Sequence, residues 1–286
     1  MKKILITISM VLLICTQSMA DSSVWKLQKG ESVLYLGGTF HLLRQSDFPL
    51  PREFHTAYGA SEIVVLETDI GKLKDPSTQQ VLIAKAMYTD GSTIENHLSS
   101  QTYTLLNDYC AANGIPLEAI KQFKPSMVIV TITALELAKL GVTQEGVDTF
   151  FYEMAIRENK VVEGLETIEE QINFIVNMGK GIEDAFVTHS IRDLKSIKQQ
   201  YEKMVKAWKK GDVEELNDLL VAQIKTKTPK LYKELIIDRN ENWLPMIEAY
   251  QKTPQKEFIL VGAGHLVGPD GILKALRQKG YKVGKL

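Results

Sequence analysis

Two short segments of this sequence share a form. Gly38-Thr39-Phe40-His41 and Gly262-Ala263-Gly264-His265 are both Gly-x-x-His, and each follows a run that patterns as a β-strand. A glycine at a strand end permits a sharp turn, or the close approach of a ligand to the main chain. The histidine is then lifted off the strand end, where α/β sheets place their ligands. Two imidazoles converging from separated strand ends can hold a divalent metal. Either motif alone is weak, because a single histidine at such a place is more often a hydrogen-bonded loop residue. Glu67 adds a third group, ending the apolar run Ile63-Val64-Val65-Leu66. Charged groups do not follow buried strands inward unless they are paired or ligating; the alternative is a solvated strand terminus. Two histidines and one carboxylate with open positions make a workable site for Zn²⁺, Mn²⁺ or Co²⁺. Such an ion lowers the pKa of a bound water and polarises a carbonyl.

The elements that must carry these groups are legible in outline. Val24 to Gln28 alternates, Lys29-Gly30 supplies a turn, and Ser32 to Leu36 alternates again, which predicts a hairpin. Ile63 to Leu66 has the continuous β-branched character of a buried strand. From about Ser77 to Tyr250 the pattern is mainly helical. Pro125 opens a run ending at Leu140, with Gly141 placed to cap it. Thr167-Ile168-Glu169-Glu170 is a capping box, and Glu183 to Lys210 reads as one long amphipathic stretch stopped by Gly211. Lys160 to Glu163 interrupts the helices as a short strand. Glu257 to Gly262 is a strand, Ile272 to Gln278 a helix, and Tyr281 to Val283 a last strand. The expected fold is mixed α/β: a small central sheet built from the N- and C-terminal segments, with a helical insertion over about 75–250 closing over its edge. One domain over 21–286 is expected.

Lys2 and Lys3, the apolar run Ile4 to Cys15 and the small residues Ser18 and Ala20 form a Sec signal peptide over residues 1–20, with Asp21 as the expected mature N-terminus. Ile14 stands where a lipobox before Cys15 wants a small residue. The chain is therefore expected to be exported, periplasmic or secreted, with no stable membrane insertion after cleavage. The whole chain carries 34 basic and 35 acidic side chains. Loss of Lys2 and Lys3 leaves a small net negative charge, with no footprint for nucleic acid. Cys110 would remain as the sole cysteine, so no intramolecular disulfide can form; beside Leu105 and Leu106 it reads as buried and inert.

Further blocks make a resemblance specific. Val24-Trp25-Lys26-Leu27 with Tyr35-Leu36-Gly37-Gly38-Thr39-Phe40-His41 is similar to the N-terminal signature of the TraB/GumN (TraB/PrgY/GumN) family, the bacterial relatives of the Tiki metalloproteases. Val261-Gly262-Ala263-Gly264-His265-Leu266-Val267-Gly268, with Gly271, Leu276, Gly280-Tyr281 and Val283, resembles its C-terminal end. Between them stand Gly146-Val147-Asp148, Gly164-Leu165-Glu166-Thr167 with Glu169-Glu170-Gln171, and Arg239-Asn240 before Trp243. The blocks occur in family order over nearly the whole chain beyond residue 20. The resemblance implies a fold related to the erythromycin esterases and the ChaN-like haem-binding proteins. It also implies that His41, His265 and Glu67 are the metal-binding or catalytic set, joined by Arg239, Asn240 and Glu166.

Each of the added residues has a plainer reading as well. Arg239 and Asn240 could pair with Asp238 or Glu241 on a solvated helix start. Glu166 could merely precede the capping box, and Asp148 could cap the helix that carries Phe150, Phe151 and Met154. His55, His97 and His189 read as surface or core histidines, and Met127, Met154 and Met178 as core fillers. The functional expectation is a periplasmic metal-dependent hydrolase acting on peptide or other acyl bonds. Glu67 would be a third ligand or the base, and Arg239 with Asn240 would stabilise charge on the substrate carbonyl. Two alternatives stay open: a haem- or iron-binding protein using one histidine as axial ligand, and a protein that sequesters peptides without cutting them.

Overall fold

The N-terminal alternation forms its hairpin. β1 (Val24–Lys29) and β2 (Ser32–Thr39) pair antiparallel with Lys29 opposite Ser32, and Gly30 takes the left-handed φ of 61° that the tight turn needs. The structure, a computed structural model, describes residues 22–286; the export signal read at 1–20 lies outside them. β3 (Ile63–Leu66) and β5 (Glu257–Gly262) are the buried strands their apolar runs announce. β4 (Val161–Gly164) and β6 (Lys282–Lys285) complete a six-stranded sheet in the order β4-β3-β5-β2-β1-β6. Its centre is parallel: β5 runs alongside both β2 and β3, and β4 alongside β3. Strands flanked on both edges and covered on both faces lose the apolar/polar alternation, hence the unbroken burial of Leu34 to Thr39 and Phe258 to Val261.

That parallel centre brings the chemistry together. Thr39 is in register with Gly262, so β2 and β5 finish at one edge of the sheet, and β3 finishes beside them. The residues that follow, Phe40-His41, Glu67 and Ala263 to His265, therefore leave the sheet from one side. Trp208 fixes this edge by donating its indole Nε1–H to the Gly38 carbonyl at 2.6 Å, while Phe40 packs on the same indole.

The helical middle has its own cores. One cluster joins the helices Ser100–Ala112, Pro125–Lys139 and Glu183–Leu194, with Cys110 inside it; burial pushes that thiol up to about 11. A smaller cluster lies between Pro76–Ala86 and Ile168–Asn177. The Thr167 capping box forms as expected, with Glu170 accepting from the Thr167 N–H at 2.8 Å. The stretch Glu183 to Lys210 is not one helix. It breaks at Ser196 into Glu183–Leu194 and Ile197–Lys210 because its halves serve different cores. Phe186, Val187 and Ile191 face the helical cluster, whereas Tyr201, Val205 and Trp208 face the sheet. The short strands shift slightly too: the last is Lys282–Lys285 rather than Tyr281 to Val283, since Tyr281 is buried in the turn that precedes it.

Candidate functional site

The three strand-end groups meet over Gly262. A methyl group built on Gly262 would lie 3.2 Å from Glu67 Oε1, 3.5 Å from His41 Nε2 and 3.6 Å from His265 Cδ2. His265 arrives there on a short helix, Ala263–Leu266, which the sequence pattern does not announce and which Gly262 initiates. Glu67 is fastened from two sides: Oε1 accepts the Gly262 N–H at 2.6 Å and Oε2 accepts from Arg239 Nη2 at 2.7 Å. Burial alone would raise the Glu67 carboxyl. The charge of Arg239, with further help from the two histidines, outweighs it and holds the group down to about 2.

Both imidazoles are oriented through Nδ1. Asn240 gives its Nδ2 hydrogens to the carbonyls of His265 and Asp270, so its Oδ1 is free to accept from His265 Nδ1 at 2.8 Å. That network assigns the His265 proton to Nδ1 and leaves Nε2 as an acceptor, which takes an Arg239 Nη1–H at 3.1 Å. His265 is only 4% exposed, and burial lowers it to about 3, keeping the ring neutral. His41 is the accessible member, with 54% of its side chain exposed. Its Nδ1 donates to Asp148 Oδ2 at 3.0 Å, and the charge of Asp148 raises the imidazole above its ordinary 6.5.

Gly146 explains how Asp148 reaches His41. A Cβ on Gly146 would stand 2.3 Å from the His41 carbonyl and 2.4 Å from that of Phe40. Only a glycine lets the start of the helix Val147–Arg157 press on this backbone, where the Val147 N–H donates to Phe40 O at 3.0 Å. Gly146→Ala must push the two segments apart. It is expected to destabilise the fold by about 1–3 kcal/mol, the usual range for overpacking, and to uncouple Asp148 from His41. Chemical denaturation checks the first effect. A downward shift of the His41 titration, followed by NMR of the ring, checks the second.

Arg239 lies at the centre of the polar network. It is 8% exposed, and Glu166 grips it bidentately, Nε to Oε2 at 3.1 Å and Nη2 to Oε1 at 2.9 Å. Gln171 adds an acceptor at 3.3 Å, and the guanidinium lies over the rings of Trp243 and Phe174 at 4.5 and 5.1 Å. Neither Arg239 nor Asn240 sits on a solvated helix start; both are buried, and Asp238 pairs with Lys233 instead. Glu166 does more than precede a capping box, and Asp148 spends its charge on His41 rather than on a helix cap. Gln171, Phe174 and Trp243 join the site beyond the residues sequence reasoning assigned to it. Their signal was there: Trp243 is one turn after Arg239, and Gln171 and Phe174 lie on one face of the capping-box helix.

The donor set suits a divalent ion in kind but is not arranged around one. Two imidazoles backed at Nδ1 by oxygen acceptors, as His41 and His265 are, is how metal-ligating histidines are commonly held. A carboxylate oxygen, Glu67 Oε1, faces the same point over Gly262. Polar capacity is also left over: Thr39 Oγ1, Thr68 Oγ1 and Asp148 Oδ1 are buried without a partner, each on or beside a site residue. Arg239, however, takes the His265 Nε2 and Glu67 Oε2 lone pairs. Among the described residues no three His, Cys, Asp or Glu side chains are grouped as an ion would require. Ligation would need His265 to exchange the guanidinium for the ion.

The profile of the TraB/PrgY/gumN family matches residues 23–285. Curated relatives include metalloprotease TIKI1 of Xenopus tropicalis, 23% identical over 93% of this chain, and metalloprotease TIKI1 of Homo sapiens, 24% identical over 93%. Metalloprotease TIKI2 of Xenopus tropicalis is 23% identical over 94%. The chain spans 62% of the length of the two TIKI1 proteins and 60% of the TIKI2 protein. No solved structure matches significantly.

Proposed function

The chain belongs to the TraB/PrgY/gumN family, and from that premise we propose that it is an exported, metal-dependent hydrolase of peptide or other acyl bonds. The observation that carries the reading is the convergence of His41 Nε2, Glu67 Oε1 and His265 on one point over Gly262, with Asp148 and Asn240 aiming the two rings. His41, His265 and Glu67 would hold the ion, Mn²⁺, Co²⁺ or Zn²⁺, which when bound supplies Lewis-acid polarisation of an acyl carbonyl. Glu67 would be a third ligand or the base that deprotonates the attacking water. Arg239 would donate to charge developing on the carbonyl oxygen through an Nη1–H that His265 releases on taking the ion. Glu166 and the Trp243 and Phe174 rings keep the guanidinium in place, and Asn240 fixes the tautomer of His265. No helix among the described residues is long and apolar enough to cross a membrane.

A peptide-library digest read by mass spectrometry tests the proposal. Cleavage is expected to stop with chelator, return with added Mn²⁺, Co²⁺ or Zn²⁺, and be absent from a folded His41→Ala/His265→Ala variant. If metal-loaded protein cuts nothing that the double variant leaves intact, the hydrolase reading falls and peptide sequestration replaces it.

A further inference from the structure

A groove of about 390 Å³ opens beside His41 and is used by none of the contacts described above. One wall is the helix Pro125–Lys139, which turns Thr133 and Leu137 into it at a spacing of four. The other wall is the helix Ile197–Lys210, contributing Ile197 and Met204, and Leu42 closes the end next to His41. All five side chains are half-buried rather than packed away. Apolar surface left in a concave site is where a ligand recovers most from desolvation. Besides His41, the groove is lined by one acidic side chain, Asp193, which already faces Lys227 at 3.6 Å, and by the phenol of Tyr201. No lysine or arginine lines it, so the cationic rim that an anionic lipid surface requires is lacking.

We infer that this groove is a substrate subsite that receives apolar side chains flanking the bond to be cut, so that the preferred substrates are peptides carrying a short run of residues such as leucine. The inference rests on the hydrolase reading for the word substrate, and on geometry for the rest. His41 lines the groove and also faces Gly262, so a side chain seated between the two helices brings its own backbone to the reacting groups. The volume lies within the range of small-molecule sites and exceeds one side chain, which favours a run over a single residue. Burial of each leucine contributes about 10- to 100-fold in affinity when complete.

The test is binding under chelation, where nothing is cut. A fluorescein-labelled decapeptide with three consecutive leucines is compared by polarisation with its triple-serine counterpart on the full chain in EDTA. The leucine peptide is expected to bind at least about tenfold tighter. Leu137→Asp and Met204→Asp should remove that preference while circular dichroism and melting stay near wild type. Should either variant misfold, Thr133→Trp fills the groove from a half-buried position and is expected to do the same. Equal affinities for the two peptides, or folded variants that bind as wild type does, overturn the inference. The outcomes also separate it from the hydrolase reading. Metal-dependent cleavage without preference for leucine keeps the enzyme and removes the subsite. Groove-dependent binding without cleavage keeps the subsite and removes the enzyme.

Discussion

Arg239→Ala is expected to destabilise the fold by about 3–5 kcal/mol, the usual cost of leaving a buried ion pair with one partner. The guanidinium is shared between Glu67 and Glu166, whose side chains are 10% and 9% exposed, so its removal strands two carboxylates instead of one. The sign with pH follows. In the wild type Glu67 is held to about 2, below its ordinary 4.5, so its contribution is present above 4.5 and lost as pH falls toward 2. Without the guanidinium, burial raises the carboxyls, so the variant's deficit should shrink on acidification as they protonate. The same change frees His265 Nε2 and Glu67 Oε2 for an ion. Added Mn²⁺ or Zn²⁺ should therefore raise the melting temperature of the variant more than that of the wild type, by linkage. Turnover should nevertheless fall about 10²–10³-fold, the scale for losing one oxyanion donor. Urea unfolding at neutral and acid pH, with and without metal, reads these effects together. A variant that unfolds like the wild type at neutral pH would show that Arg239 does not neutralise this pair.

The sheet was readable because its strands are bounded by turn chemistry and carry unbroken β-branched runs. Ile63 to Leu66 and Glu257 to Gly262 could hardly be anything else once a mixed fold was expected. His41, Glu67 and His265 were found because each directly follows such a run, and parallel neighbours must end together. What escaped depends on non-local facts. The break at Ser196 follows from which core each half meets, and periodicity alone cannot see that because both halves are amphipathic. Asp148 looked like a helix cap because its role depends on Gly146 touching the His41 backbone, a contact across more than a hundred residues. Arg239 could be read as a surface residue as well as a buried one, since a sequence does not say whether it will meet Asp238 and Glu241 beside it or acids far along the chain. The family blocks pointed to Arg239 and Glu166 but left their plainer readings open, and the partners of the guanidinium on the capping-box helix emerged only from packing.

Gly262→Ala is expected to abolish turnover, by at least about 10²-fold, while leaving the fold near wild-type stability. The backbone there has φ −49° and ψ 135°, which alanine adopts without strain, so conformation is not what the substitution disturbs. Its methyl would instead enter the point on which the site converges. At 3.2 Å from Glu67 Oε1 it is closer than carbon and oxygen comfortably approach, and Glu67 cannot simply rotate away. Its two oxygens are tied to the Gly262 N–H and to Arg239. The carboxylate must give by a few tenths of an ångström, and the space before His41 Nε2 is filled. Misplacements of about 1 Å in a reacting constellation can cost about 10²-fold, and here a group is also excluded outright. The Glu67–Arg239–Glu166 pairing lies behind Glu67 and should persist, so thermal melting should move little. Divalent-ion affinity by calorimetry should fall with activity, which separates a blocked centre from a disturbed groove, where ion binding would be untouched. An alanine variant with wild-type cleavage and ion affinity would place the reaction elsewhere on the sheet edge.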